Sequence, residues 1–179
     1  QLRPMVGAGA RGMVGTAFGV KPGEPGFESL KDAFLARYAE RLLERTRIFD
    51  AMAPVLDALD AASLRWGIVT NKAMRFTEPI VRGLSLHGRA AVVIAGDTTP
   101  HAKPHPAPLL HAAQALGIVP SRCVYVGDDL RDVEAGNAAG MATLVAGYGY
   151  MGVGGDARRW PATGWLDRPL DLVGWLPAC

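Results

Sequence analysis

The sequence predicts an α/β domain, a doubly wound parallel sheet covered by helices on both faces, with a smaller helical segment at the start of the chain. Two observations favour this fold. From about residue 50, helical patterns alternate with short runs that are apolar throughout, as strands of a buried parallel sheet are. Polar motifs lie at or just after the ends of these runs, where doubly wound sheets bind their ligands.

The composition narrows the class of protein. The chain has 179 residues, 49% of them hydrophobic, which is enough for one well-filled domain with a small appendage. Its net charge is +2 and its basic residues are interleaved with acids, so no nucleic-acid partner is expected. No apolar run approaches the roughly 20 residues of a membrane span. Cys123 and Cys179 are not expected to form a disulfide, which fits a reduced, cytoplasmic protein.

The helical segment is predicted over residues 1–46, and the α/β core over residues 47–179. Its clearest helix is expected over residues 27–45, where large apolar side chains recur at steps of three and four: Phe27, Leu30, Phe34, Tyr38 and Leu42. A loop rich in glycine and proline precedes that helix over residues 20–26.

The core elements follow in regular order. Helices are predicted over residues 51–62, 73–84, 105–117 and 130–139, and strands over residues 66–70, 90–95, 122–126 and 142–146. Gly117 is a typical helix stop. After Gly147 the pattern predicts a loop and a short final helix near residues 169–176.

The most informative motif, Gly-Asp-Asp-Leu-Arg-Asp, follows the strand at 122–126. Magnesium prefers carboxylate oxygens together with water and phosphate oxygens. Asp128 leaves the strand end and Asp132 comes one helical turn later, so the pair is predicted to hold one magnesium ion. Helix capping is the alternative reading, and it accounts for one of the three carboxylates, with Asp129 as the candidate; the sequence leaves the role of Asp129 open.

Two further motifs supply complementary groups. Thr70 and Asn71 close the strand at 66–70, where a hydroxyl and backbone N–H groups at a helix start form a phosphate cradle, although both residue types also cap helices. Lys103 precedes a proline-rich helix start, and its ammonium suits neutralisation of a carboxylate and a phosphate oxygen. Hydroxyl, ammonium and carboxylates together indicate a magnesium-dependent phosphoryl-transfer site.

In this order the motifs resemble the haloacid dehalogenase superfamily, and most of all its phosphoglycolate phosphatase branch. The resemblance rests on Thr70-Asn71-Lys72, Lys103-Pro104, Gly127-Asp128-Asp129-x-x-Asp132, Ala135-Gly136 and Ala139-Gly140-Met141. It covers nearly the whole chain and implies that residues 1–46 are most of a helical cap.

The resemblance also implies roles for the site residues. Thr70 bonds the transferring phosphoryl group with help from the backbone of Asn71, and Lys103 neutralises the nucleophile and the phosphate. Asp128 coordinates Mg²⁺, whereas Asp132 acts through a water or on Lys103.

A cap segment facing the active site is implied as well. Gly7, Gly9 and Arg11 match it, so Gly9 and Arg11 are candidate contacts to a substrate anion. The implied partner is a small phosphorylated metabolite, and the sequence does not indicate the oligomeric state.

One family motif has no match here. The family's nucleophile and general acid lie in an Asp-x-Asp-Gly-Thr motif at the end of the central strand, and residues 1–46 contain no such motif. We therefore expect the first core strand to be missing from this sequence, leaving a gap in the core, and to lie upstream of Gln1 in the complete protein.

Several functions remain open at this point. The motifs also resemble proteobacterial enzymes that remove phosphate from N-acetylmuramic acid 6-phosphate, notably around Gly9-Ala10-Arg11. A catalytically inactive domain of the same fold, binding a phosphorylated ligand or a protein, is the alternative of another class. A dehalogenase or phosphomutase is a third reading, and the pair of Asp128 and Asp132 argues against a metal-free dehalogenase.

Overall fold

The computed structural model describes residues 2–152 and 156–176. It begins with a helical segment, as predicted: a 3₁₀ helix Arg3–Ala8, then α1 (Gly9–Phe18) and α2 (Phe27–Glu40). α1 packs against both of its neighbours. α2 ends at Glu40, earlier than the predicted 45, because the chain turns at Arg41, whose N–H bonds the carbonyl of Tyr38. The boundary between cap and core at residue 46 stays a prediction.

The core alternates helices and strands as predicted. Its elements are α3 (Ala53–Ala61), β1 (Gly67–Val69), α4 (Met74–Gly83), β2 (Val92–Ile94), α5 (Ala107–Leu116), β3 (Val124–Gly127), α6 (Leu130–Ala138), β4 (Ala142–Ala146) and β5 (Gly164–Leu166). β5 was predicted as loop, because its three residues form no apolar run. The final helix is present as a 3₁₀ helix, Pro169–Trp175.

Every strand pairing between these elements is parallel, which confirms the predicted sheet type. The strands form two sheets, β1–β2 and β3–β4–β5. The sheet is therefore interrupted between β1 and β3, as a missing central strand predicts. α5 lies beside both parts, since Leu109 and Ala113 belong to a cluster against which Val69 of β1 and Tyr125 of β3 pack.

Two further findings concern membrane-spanning helices and the cysteines. None of the helices within the described ranges has both the length and the apolar character needed to cross a bilayer. Cys123 is a free thiol whose pKa is raised by burial, and Cys179 lies outside the described residues. A cytoplasmic location stays a prediction.

Candidate active site

The loop after β3 is shaped by two of its three carboxylates. Asp129, whose role the sequence left open, caps α6 by accepting a hydrogen bond from the N–H of Arg131 at 3.0 Å. Asp132 turns back on the loop, where Oδ2 accepts from the N–H groups of Asp128 at 3.1 Å and Asp129 at 3.2 Å. A Cβ at Gly127 would come within 2.4 Å of the Asp132 carboxylate, so this turn requires glycine.

The other oxygen of Asp132 meets Lys103. Oδ1 lies 2.8 Å from Nζ of Lys103 and 3.2 Å from Oη of Tyr125. The Lys103 and Asp132 side chains are only 9% and 10% exposed, so this is a buried ion pair. Both Asp132 oxygens are thus bonded by protein donors. Of the two roles that the resemblance implied for Asp132, action through a water or on Lys103, the structure contains the contact with Lys103. Asp132 as a magnesium ligand stays a prediction.

Lys103 is held at both its ammonium and its backbone. Nζ lies 2.6 Å from Oη of Tyr125 and 3.0 Å from the carbonyl of Val69, so with Asp132 each of its three protons has an acceptor. The side-chain amide of Asn71 donates to the Lys103 carbonyl and accepts from the Lys103 N–H, both at 2.9 Å. The sequence assigned only the Asn71 backbone a role, whereas its side chain positions Lys103.

Thr70 lies at the end of β1, half-buried. Its N–H donates to the carbonyl of Ile94 at 2.9 Å, which continues the pairing with β2. Its Oγ1 accepts a hydrogen bond from the N–H of Lys72 at 3.1 Å. Because the oxygen acts as acceptor there, the hydroxyl proton can be donated to a ligand.

Tyr125 was missed by the sequence analysis. Burial is the main cause that raises the pKa of its phenol well above 10, with the Asp132 charge adding to it. The phenol therefore stays protonated and serves as both acceptor and donor in the Lys103 network. The available signal was a polar ring in the middle of an otherwise apolar strand.

Asp128 differs from the other two acids of the loop. Its Oδ2 accepts from the N–H of Tyr150 at 2.7 Å, and no described residue donates a hydrogen bond to Oδ1. Magnesium usually binds through one or two carboxylates together with waters and substrate phosphate, so this donor set fits that ion. Within the described ranges, no three potential ligand side chains converge on one point.

The predicted cap residues have separate positions. The carbonyl of Gly7 accepts a hydrogen bond from Nη2 of Arg131 at 2.6 Å, which brings this segment to the site. Gly9 adopts a φ of 62° and donates its N–H to the carbonyl of Val6, so it shapes the junction with α1. Arg11 is exposed in α1 and forms no ion pair with any described residue.

Comparisons with known proteins show the family and the fold to which this chain is similar. The sequence model of haloacid dehalogenase-like hydrolases matches residues 5–140. The N-acetylmuramic acid 6-phosphate phosphatase of Pseudomonas putida is 40% identical over 171 residues, which span 96% of this chain and 77% of that protein. The phosphoglycolate phosphatase of Xanthomonas campestris is 41% identical over 178 residues, which span 99% of this chain and 79% of that protein.

A solved structure shares the fold. The crystal structure of a predicted phosphoglycolate phosphatase from Haemophilus somnus superimposes with a TM-score of 0.83. The match covers 97% of this chain and 80% of that chain, at 24% sequence identity.

Proposed function

Because this chain belongs to the haloacid dehalogenase-like hydrolase family, we propose that its site is that of a magnesium-dependent phosphomonoesterase. The observation that carries the proposal is the convergence of three motifs on the break between β1 and β3. There the buried ammonium of Lys103 bonds Val69 at the end of β1 and Asp132 beyond the end of β3. Ligands of doubly wound sheets bind at this end of the strands.

Each residue of the site has a distinct task in this proposal. The Thr70 hydroxyl and the Asn71 N–H donate hydrogen bonds to phosphoryl oxygens. Lys103 exchanges its contact with the Val69 carbonyl for one with the nucleophile and the phosphoryl group. Asn71 and Asp132 hold Lys103 in place while this exchange occurs, so the charge is oriented before the reaction.

Asp128 would hold the magnesium ion, since its Oδ1 accepts no hydrogen bond from the described residues. Bound magnesium supplies positive charge to the phosphoryl oxygens as the ester bond breaks. The backbone N–H of Tyr150 fixes the other carboxylate oxygen at 2.7 Å and so sets the orientation of the ligand.

The nucleophile is proposed to lie outside these 179 residues. Asp129 and Asp132 are engaged by protein donors, and Asp128 is assigned to the metal. We propose that a strand filling the break between β1 and β3 carries an aspartate that attacks phosphorus while the P–O ester bond breaks. A second acid at the same strand end gives its proton to the leaving oxygen and regains one from the water of the next step. Water then hydrolyses the aspartyl-phosphate and releases inorganic phosphate.

This assignment predicts that residues 1–179, purified alone, do not turn over phosphate esters. The physical reason is that, of the three described carboxylates in the loop after β3, Asp129 and Asp132 are bonded by protein donors and Asp128 is assigned to the metal, so none of them is left to attack phosphorus. The measurement is hydrolysis of p-nitrophenyl phosphate with magnesium, with the full-length protein as the positive control. Steady turnover by residues 1–179 would reveal another nucleophile and overturn the assignment. A full-length protein that binds phosphate without turnover would favour the inactive binding domain.

The substrate is proposed to be a small phosphorylated acid. The two relatives described above are named for phosphoglycolate and for N-acetylmuramic acid 6-phosphate, and both compounds carry a carboxylate. A guanidinium can bind a carboxylate through two hydrogen bonds. Arg11 supports this proposal because its side chain is exposed and forms no ion pair with any described residue. It also lies four residues after Gly7, whose carbonyl contacts the core through Arg131.

Arg11→Ala in the full-length enzyme is therefore expected to lower kcat/KM for the carboxylate-bearing substrate by about ten- to a hundredfold. The expected change for p-nitrophenyl phosphate is much smaller, because that substrate has no carboxylate. Arg37→Ala is the matched control, since Arg37 is an exposed arginine of α2 that pairs with Glu40. Equal losses on both substrates, or no loss, would remove Arg11 from the substrate site. Comparing the two acids also decides between phosphoglycolate and the sugar phosphate.

A further inference from the structure

The 3₁₀ helix at the start of the chain meets the core at Arg131. Nη2 of Arg131 donates to the Gly7 carbonyl at 2.6 Å, joining residues 124 positions apart. The same guanidinium bonds both oxygens of Asp129, at 2.8 Å through Nε and at 2.7 Å through Nη2. These two bonds to Asp129 orient the guanidinium toward Gly7.

The approach of the two segments is close. A Cβ built on Gly7 would lie 3.0 Å from Oδ2 of Asp129 and 3.7 Å from Nη2 of Arg131. The first distance is tighter than ordinary contact, so a side chain at position 7 would displace the Asp129 carboxylate by a few tenths of an ångström, whereas the second is an ordinary contact.

The rest of the helical segment is attached differently. Tyr38 of α2 packs edge-on against Phe76 of α4, with ring centroids 5.5 Å apart, and accepts a hydrogen bond from Lys72. By contrast, the carbonyl of Gly7 in the 3₁₀ helix accepts its hydrogen bond from a side chain of the core, Arg131. Arg131 is 38% exposed, so water can replace this bond, whereas the buried Phe76 ring keeps α2 in place.

We infer that Arg131 is a positioning residue that holds the 3₁₀ helix Arg3–Ala8 closed over the active site. It lies three residues after Asp128, and its partner Asp129 belongs to the same loop, so the position of the helix is coupled to the carboxylate loop. Opening of this helix admits substrate, and closing excludes water from the reacting phosphoryl group. The catalytic part of this inference rests on the proposed function.

The first test measures closure without activity. In the full-length protein with magnesium and inorganic phosphate, Arg131→Met is expected to speed amide hydrogen exchange in residues 3–8 about tenfold or more, because an exposed polar bond to a charged group is lost. Exchange in residues 27–40 should stay the same. The control is Arg82→Met, which removes an exposed arginine paired with Glu78 on α4 and should change neither range.

A second variant alters the other partner of the contact between Arg131 and Gly7. Gly7→Ala places a methyl group against the Asp129 carboxylate and should also speed exchange in residues 3–8. Unchanged exchange in both variants would overturn the inference.

Kinetics then separate positioning from simple structural support. Arg131→Met is expected to lower kcat about tenfold and to change KM by less than about twofold, because Thr70 and Lys103 still bind the phosphate. A loss explained entirely by a smaller folded fraction would overturn the positioning role. Faster exchange in a protein whose parent shows no turnover would support the closure and overturn only the proposed function.

Discussion

Replacing Lys103 by methionine in the full-length enzyme is expected to lower turnover at least about a hundredfold and to reduce the free energy of unfolding by about 3–5 kcal/mol. Turnover falls because the ammonium that neutralises the phosphoryl group is lost. Stability falls because the Asp132 carboxylate, 10% exposed, keeps its charge in the interior without its cation. Initial rates and urea unfolding measure the two effects.

The control for this prediction is Lys21→Met, which alters an exposed lysine in the loop before α2. A second comparison adds Asp132→Asn to the methionine variant. The amide removes the unpaired charge and can still accept from the N–H groups of Asp128 and Asp129, so part of the lost stability should return while activity stays low. A Lys103→Met protein as stable and active as Lys21→Met would contradict the assigned role.

Replacing Asp128 by asparagine is expected to lower magnesium-dependent turnover by about a thousandfold, because a charged ligand becomes neutral and several kcal/mol of transition-state stabilisation are lost. The fold should be retained, because the asparagine carbonyl can accept the N–H of Tyr150 in place of Oδ2. Rates measured against magnesium concentration check the loss of turnover, and thermal unfolding checks that the fold is retained.

Asp57→Asn serves as the control, because Asp57 is an exposed acid of α3 whose partner, Arg89, lies outside the candidate site. It should leave the magnesium dependence unchanged. If Asp128→Asn retained full activity at low magnesium, the metal assignment would be wrong.

The order of elements and the place of the site could be predicted from the sequence, because both depend on local patterns. The strand predicted over residues 142–146 matched β4 at both ends, because a strand buried on both faces selects mainly apolar side chains, and Thr143 is the one polar residue in it. The cap formed by Asp129 is also a local feature, because its acceptor and the Arg131 N–H are two residues apart, and the sequence offered it as a candidate role for one acid of the motif.

Only the tertiary structure decided which side chains of the site bond one another. The amide of Asn71 bonds the backbone of Lys103, 32 residues away, and the phenol of Tyr125 reaches the same ammonium from β3. Asp132 turned back to the loop and to Lys103 because its two oxygens found four donors there. Periodicity and spacing constrain neighbours along the chain, whereas these contacts depend on which strand ends the packing of α5 brings together.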